Sequence, residues 1–323
     1  MMDYQSRMFD IKEDKDATGK TVESLLTSRN QREDILRLFD GDLPMSIMTA
    51  KRTSRGDADL STGTYSASSQ IYKEGKEVDT SLQHAFETSG RSVRGGSHGF
   101  EVYGQGAAGG ALSAFPQNIG NTVIRLYSKP GDTIVDPFAG HNSRMELTVK
   151  NSRHYHGYDI SEKFMQFNIE RADILRKEYG MNIDLYLHDS RNMEYTRDCT
   201  GDFTLTSPPY YDIEYYGDEP GQLGKQPSYD AFIRDLKLIA YQNYRTLKPG
   251  AYCVWFVNDF RRKGKFIPYH KDVIDIMQSV GFVLHDIMIV DLGYPIRAAF
   301  ASQIVEQKIL PKRHEYGIVV RKK

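Results

Sequence analysis

Cysteine is scarce in this sequence: among 323 residues only Cys199 and Cys253 carry a thiol. Two are too few for a disulfide framework or, by themselves, for a four-ligand zinc site. Both read as free thiols of a reducing compartment. No His, Cys and Asp cluster with metal-ligand spacing occurs either, so no metal is expected. Long apolar runs are also missing. No stretch reaches the roughly 18 apolar residues a membrane-spanning helix needs, and the first twenty residues are charged where a secretory leader needs an apolar core. The expectation is a cytoplasmic protein without a membrane partner. Nor is there an excess of charge of either sign. Lys+Arg number 42 against 43 Asp+Glu, a formal charge of −1, so a polyanionic partner must be held by a local basic face.

What is present is an ordinary globular composition, 39% hydrophobic and 26% charged, which excludes collagen-like and wholly disordered chains. The length fits two domains, or one large α/β domain with an appendage. Val22, Leu25, Leu26, Ile35, Leu36 and Phe39 recur at roughly helical spacing before Pro44. In residues 51–110, 25 of 60 are Gly, Ser or Thr, too polar to bury much surface of their own. Residues 1–110 are therefore read as a loop-rich appendage and 111–323 as the core domain. From about Phe115 short apolar runs alternate with longer helical patterns, the signature of βαβ units and a mostly parallel sheet. Strands are predicted at 133–136, 155–159, 183–187, 202–206 and 251–257, with a closing pair at 282–290 and 316–320. Ser161 should cap a long helix, and Lys248-Pro249-Gly250 should end another that spans 229–247.

The strand ends carry the chemistry. Val135-Asp136-Pro137-Phe138-Ala139-Gly140 runs from a strand through a glycine toward a helix, and in open α/β sheets ligands gather at the carboxyl ends of such strands. A tight turn without a ligand is the plainer reading of those six residues. Asp159 ends the next strand, 23 residues on, where a carboxylate can accept both hydroxyls of a ribose. Asp189, in Leu187-His188-Asp189-Ser190, ends the third and suits the edge of an adenine ring. A single strand-end Asp is more often a helix cap, but three in succession are harder to read that way. In Leu205-Thr206-Ser207-Pro208-Pro209-Tyr210 two prolines stiffen a loop while leaving its carbonyls free to accept. Such a fork can hold a planar amino group, with Tyr210 stacked on its ring, or it is a proline turn before a packed tyrosine.

Here the chain resembles the amino-group DNA methyltransferases that use S-adenosylmethionine. Asp136-Pro137-Phe138-Ala139-Gly140 looks like the family's cofactor loop and Ser207-Pro208-Pro209-Tyr210 like its catalytic tetrad. Phe115-Pro116, followed by an apolar helix up to Lys129-Pro130-Gly131-Asp132, is similar to an additional cofactor segment, and His314-Glu315-Tyr316-Gly317-Ile318-Val319-Val320 to the final antiparallel strand. The loop precedes the tetrad, which excludes the permuted arrangement. The resemblance implies a Rossmann-like α/β fold, with a seven-stranded mostly parallel sheet and an antiparallel closing strand. It implies S-adenosyl-L-methionine as cofactor, held by Phe115, Pro116, Asp136, Pro137, Phe138, Ala139, Gly140, Asp159, Ile160, Asp189 and Ser190. Ser207, Pro208, Pro209 and Tyr210 would hold a flipped base. Where the family often continues with Ser-Gly-Thr, this chain has His141-Asn142-Ser143-Arg144; Asn142 or Ser143 can cap the helix, and Arg144 can pair with the methionine carboxylate.

The implied reaction is methyl transfer to an exocyclic base nitrogen in DNA, N4 of cytosine or N6 of adenine. By resemblance, Ser at the head of the tetrad is more frequent among the cytosine enzymes. An RNA or protein-glutamine N-methyltransferase, or a non-catalytic nucleic-acid-binding relative, are the alternatives. A partner restriction nuclease is compatible with this reading. The tyrosine-rich and acidic residues 211–219 read either as a loop over the active site or as solvated surface. Arg261-Arg262-Lys263-Gly264-Lys265 reads as a phosphate contact or as a solvated basic face.

Overall fold

A computed structural model describes residues 43–50, 93–96, 99–102, 115–140, 143–213, 218–292, 304–306 and 308–323 other than 311, with isolated positions 36 and 39. Apart from positions 36 and 39, the helix expected over 22–39 lies outside the described residues, as do the proposed cap Asn142 and most of 51–110.

The chain order is β1 (Ile47–Thr49), β2 (Val93–Gly96), β3 (Gly99–Val102), α1 (Gln117–Tyr127), β4 (Thr133–Asp136), α2 (Ser143–Lys150), β5 (His154–Asp159), α3 (Glu162–Tyr179), β6 (Ile183–Leu187), β7 (Gly201–Thr206), α4 (Tyr229–Thr246), β8 (Leu247–Val257), β9 (Phe260–Arg262), β10 (Lys265–Ile267), α5 (Tyr269–Ser279), β11 (Phe282–Asp291) and β12 (His314–Lys322). Strands β2 and β3 form one small hairpin and β9 and β10 another. The main sheet runs β1-β11-β12-β8-β7-β4-β5-β6. Every neighbouring pair is parallel except β12 with each of its two neighbours. This is the Rossmann-like arrangement anticipated, with one correction. The sheet has eight strands, not seven, because residues 47–49 from the expected appendage lie along β11, Ile47 opposite Ile289.

Alternation along β8 shows why both faces are covered. Cys253, Trp255 and Val257 pack with Phe232, Leu236 and Ile239 of α4 and Val273, Ile276 and Met277 of α5. Val254 and Phe256 turn the other way, onto Ile119, Val123 and Ile124 of α1. A strand buried on both sides reads as a continuous apolar run, which Tyr252-Cys253-Val254-Trp255-Phe256-Val257 is. Helix α1 approaches α2 closely at Gly120, where a Cβ would come within 2.2 Å of the Leu147 side chain. Lys248-Pro249-Gly250 does end α4, but it belongs to β8, which starts at Leu247 without an intervening loop.

The chain leaves β4 toward β5 and β6 on one side and later returns to β7 and β8 on the other. The strand order thus reverses between β4 and β7, and ligands in such sheets settle outside the carboxyl ends at that reversal. The cofactor loop follows β4 and the tetrad follows β7.

Candidate active site

Asp136, the last residue of β4, is fully buried and its carboxylate is saturated by the protein. Oδ1 accepts the Phe138 amide at 3.1 Å and the Thr206 hydroxyl at 2.5 Å. Oδ2 accepts Arg144 Nε at 2.7 Å and the Tyr155 hydroxyl at 2.9 Å. Burial works against the Arg144 charge, yet the Asp136 carboxylate holds the guanidinium's pKa above its ordinary value. Arg144 also donates to the Phe138 and Ala139 carbonyls. The side chain that the sequence offered to a methionine carboxylate is thus folded under the loop as its internal brace. Pro137 and Ala139 are buried and Phe138 half-buried, edge-on to Trp255.

Gly140, at φ +51°, is clamped on both sides of its backbone. Its amide donates to Asp159 Oδ2 at 2.7 Å, and its carbonyl accepts Asn168 Nδ2 at the same distance. A Cβ built there would meet the Phe138 carbonyl oxygen at 3.7 Å, an ordinary contact, so it is the positive φ that favours glycine here. Asp159 Oδ1 takes the Ser161 amide at 2.8 Å. Ser161 precedes α3 as expected, but its own side chain makes no capping bond. Burial pushes the Asp159 carboxyl up to about 6, the two amides and Arg144 opposing. The residue stays partly exposed, and each of its oxygens retains accepting capacity.

At the next strand end Asp189 pairs with Arg191, which reaches on to Asp235 and to the Gly221 carbonyl. Ser190 donates to the Pro137 carbonyl at 2.5 Å, tying the third strand end to the cofactor loop. Gly221, at φ +95°, lies against Ile160 and Asp189 so closely that a Cβ would sit 3.0 Å from Ile160 Cδ1 and 3.3 Å from Asp189 Oδ2. Gly221 therefore lies directly over Ile160 and Asp189.

In the tetrad, Ser207 donates its hydroxyl proton to the Phe256 carbonyl at 3.2 Å. With that proton committed, its oxygen presents lone pairs elsewhere. Tyr269 donates to the Pro209 carbonyl at 3.1 Å and lies edge-on to the Tyr210 ring. Pro208 is buried. Tyr210 also donates to Glu315, whose carboxyl burial pushes up to about 7 despite that bond and the nearby Lys312. Tyr211 follows at φ +51°, a left-handed conformation that costs a bulky residue on the order of 1–3 kcal/mol. Its ring packs on Tyr229 and Phe232, so this tyrosine is core rather than solvated surface. Residues 214–217 lie outside the described residues.

The structure thus brings the predicted loop, the three acids and the tetrad to one edge of the sheet. Pro116 instead precedes α1, and Phe115 is a core side chain, 7% exposed, edge-on to Phe256 at 5.1 Å and beneath Arg144. Sequence reasoning missed Thr206, Tyr155, Asn168, Arg191, Gly221 and Glu315. Thr206 and Glu315 sit in motifs already singled out and Arg191 pairs with Asp189 two residues away, whereas Tyr155, Asn168 and Gly221 act through contacts distant in sequence. Among the described residues no group of three or more His, Cys, Asp or Glu side chains could hold a metal ion, and no helix is long and apolar enough to cross a membrane.

Residues 44–170 match the family model described as DNA methylase, a span holding β1, the cofactor loop and Asp159 and ending before the tetrad. The chain is 30% identical over 73 residues to the type II methyltransferase M.MjaI of Methanocaldococcus jannaschii, covering 23% of this chain and 24% of that one. It is 33% identical over 92 residues to the orphan methyltransferase M.BamHII of Bacillus amyloliquefaciens, covering 28% and 30%. The matches therefore span less than a third of these relatives' length. A solved S-adenosylmethionine-dependent methyltransferase from Methanosarcina mazei overlays 65% of this chain and 99% of its own, at 16% identity and a TM-score of 0.43. Over residues 44–170 the chain is thus similar to the DNA methylase family, and the tetrad that follows continues the motifs by which it resembles the amino-group DNA methyltransferases.

Proposed function

We propose that this protein transfers the methyl group of S-adenosylmethionine to an exocyclic amino nitrogen in DNA, that of cytosine in preference to adenine. The observation that carries the reading is the Thr206–Asp136 hydrogen bond, which ties the strand entering the tetrad to the strand entering the cofactor loop. Bound at the loop, the cofactor supplies a methyl group already activated on a sulfonium. Its fit rests on the accepting capacity that Asp159 retains beside the Gly140 and Ser161 amides, which suits ribose hydroxyls. Ser207 Oγ and the Pro208 carbonyl accept the two amino hydrogens of an extruded base and draw lone-pair density onto the nitrogen. Tyr210 stacks on the ring, its own ring fixed by Tyr269 and Glu315. The Arg144–Asp136 brace keeps the loop in register with the tetrad, so proximity and orientation do most of the work. Residues 1–110 and the segment after Tyr210 are assigned to sequence choice. Labelled cofactor offered with DNA, RNA and protein, followed by nucleoside mass spectrometry, tests the reading. N4-methylcytosine in DNA is the expected product; label only on RNA or protein overturns it.

Cofactor affinity should depend on pH. Ribose hydroxyls donate to an ionised carboxylate, and in the free protein Asp159 titrates near 6 rather than at the ordinary 3.8. Affinity is therefore full above that value and falls as pH drops through it, approaching about tenfold per unit where proton and ligand exclude each other. Calorimetry from pH 5 to 8 should show this slope, and Asp159→Asn should be weaker and flat.

The thiols should be dispensable. Methylation at a ring carbon needs a thiolate to add first, whereas an amino nitrogen needs no covalent intermediate. Cys253 is buried, and that burial raises its thiol pKa and keeps it protonated. Cys199 lies ahead of β7, at the end opposite the tetrad. The double alanine variant should keep methyl transfer within about tenfold, equivalent to roughly 1.4 kcal/mol. Loss of activity with the fold intact by circular dichroism would point to a covalent route.

A further inference from the structure

The run 261–265, read from sequence as either a phosphate contact or a solvated basic face, is a shaped element. Strands β9 and β10 pair antiparallel, with Lys265 opposite Arg262 and Phe266 opposite Arg261. The two residues between them, Lys263 and Gly264, both have positive φ, +49° and +77°. That is the geometry of a tight type I′ turn, which gives a stiff hairpin. Its four cations divide by task. Arg262 binds Asp212 at 2.6–2.8 Å, two residues beyond Tyr210, and so fastens the hairpin to the tetrad loop. Phe260 anchors the base, buried against Tyr229 and Tyr269, and Tyr269 is the side chain that holds the Pro209 carbonyl. Arg261, Lys263 and Lys265 are exposed, and among the described residues none is paired with a carboxylate. Arg261 lies over the half-exposed Phe266 ring, 5.4 Å from its centroid, which holds the guanidinium out on the surface rather than folded back.

The geometry points to the β9–β10 hairpin as a phosphate clamp: Arg261, Lys263 and Lys265 grip the backbone of duplex DNA beside the extruded base, while Arg262 couples that grip to the tetrad through Asp212. The inference deepens the proposed reaction and rests on it. A chain with a net charge of −1 needs such a concentrated basic face if it is to hold a polyanion, and this one stands a single side chain from the tetrad loop. Each phosphate neutralised releases condensed counterion and contributes about −0.9 to the slope of log affinity against log salt concentration.

The test uses the full chain and a fluorescent DNA duplex, with anisotropy titrations between 50 and 200 mM salt. The triple variant R261A/K263A/K265A should bind more weakly at low salt, and its slope should be shallower by about 2–3. Its affinity for S-adenosylmethionine should equal that of wild type, showing that the fold is intact. K177A/K237A, which removes two exposed lysines of α3 and α4, should leave the slope unchanged. Asp212→Ala should keep the steep slope but lower single-turnover methyl transfer at saturating DNA. If wild type methylates DNA and the triple variant keeps the wild-type slope, or the control pair lowers it equally, the clamp is wrong while the reaction stands. If wild type methylates no DNA, or the hairpin governs binding of duplex RNA alone, both are wrong.

Discussion

Asp136→Ala should lower folding stability by about 3–5 kcal/mol, a large share of the 5–15 kcal/mol typical of a domain. The carboxylate is fully buried, and its partner Arg144 has a side chain only 9% exposed. Removing it strands a guanidinium in the interior and leaves the Tyr155 and Thr206 hydroxyls and the Phe138 amide without their acceptor. Urea unfolding should show the loss as a lower midpoint at unchanged slope. The double variant Asp136→Ala with Arg144→Met should recover part of it, because the uncompensated charge is gone. A cost below about 1 kcal/mol for the single variant would mean that the carboxylate is not the keystone its four bonds make it.

Ser207→Ala should reduce turnover on the order of 10²-fold, in the range found when one preorganised hydrogen-bonding group is removed from a reacting centre. Tyr210→Ala should reduce it by roughly ten- to a hundredfold, the value of one stacked base at about 1–3 kcal/mol. Neither side chain is among those assigned to the cofactor, so affinity for S-adenosylmethionine should hold within about twofold in both. The Ser207 effect has a directional signature. Its proton is committed to the Phe256 carbonyl, so the residue serves as an acceptor, and Ser207→Asn, which restores an acceptor at greater reach, should retain more activity than alanine. Single-turnover measurement at saturating DNA separates this from weakened binding. Equal loss in asparagine and alanine variants would argue against the acceptor role.

Most of the sheet could be read from the chain because its strands are apolar runs with hard punctuation. Asp136-Pro137, Ser207-Pro208-Pro209 and Lys248-Pro249-Gly250 mark ends by local sterics alone. The placement of Asp136, Asp159 and Asp189 at successive strand ends was legible for the same reason. What escaped was short or non-local. Strand β1 is three residues whose identity comes from a partner more than 230 positions away, and β9 and β10 are three residues each, hidden inside a charge run. The brace under the cofactor loop escaped because Arg144 lies in a segment that departs from the family pattern, and nothing local says whether such a side chain turns outward to a ligand or inward to Asp136. Phe115, expected from the resemblance to pack on the cofactor, is buried against Phe256 and beneath Arg144, surroundings set by residues far away in sequence.

The place of β12 bears on how the protein is made. Strands β8 and β11 both precede it in the chain, yet they do not pair with each other; β12 lies between them, pairing Ile318 with Trp255 on one side and with Ile287 on the other. Until residues 314–322 have emerged from the ribosome, the nascent sheet exists as two unjoined parallel patches, β8-β7-β4-β5-β6 and β11-β1. Both loops of the candidate site belong to the first patch, whose open edge is the apolar strand of Cys253, Val254, Trp255 and Phe256. Such an edge is a template for pairing with other chains, so a product cut short before His314 should be aggregation-prone and a chaperone client rather than a slightly weakened enzyme.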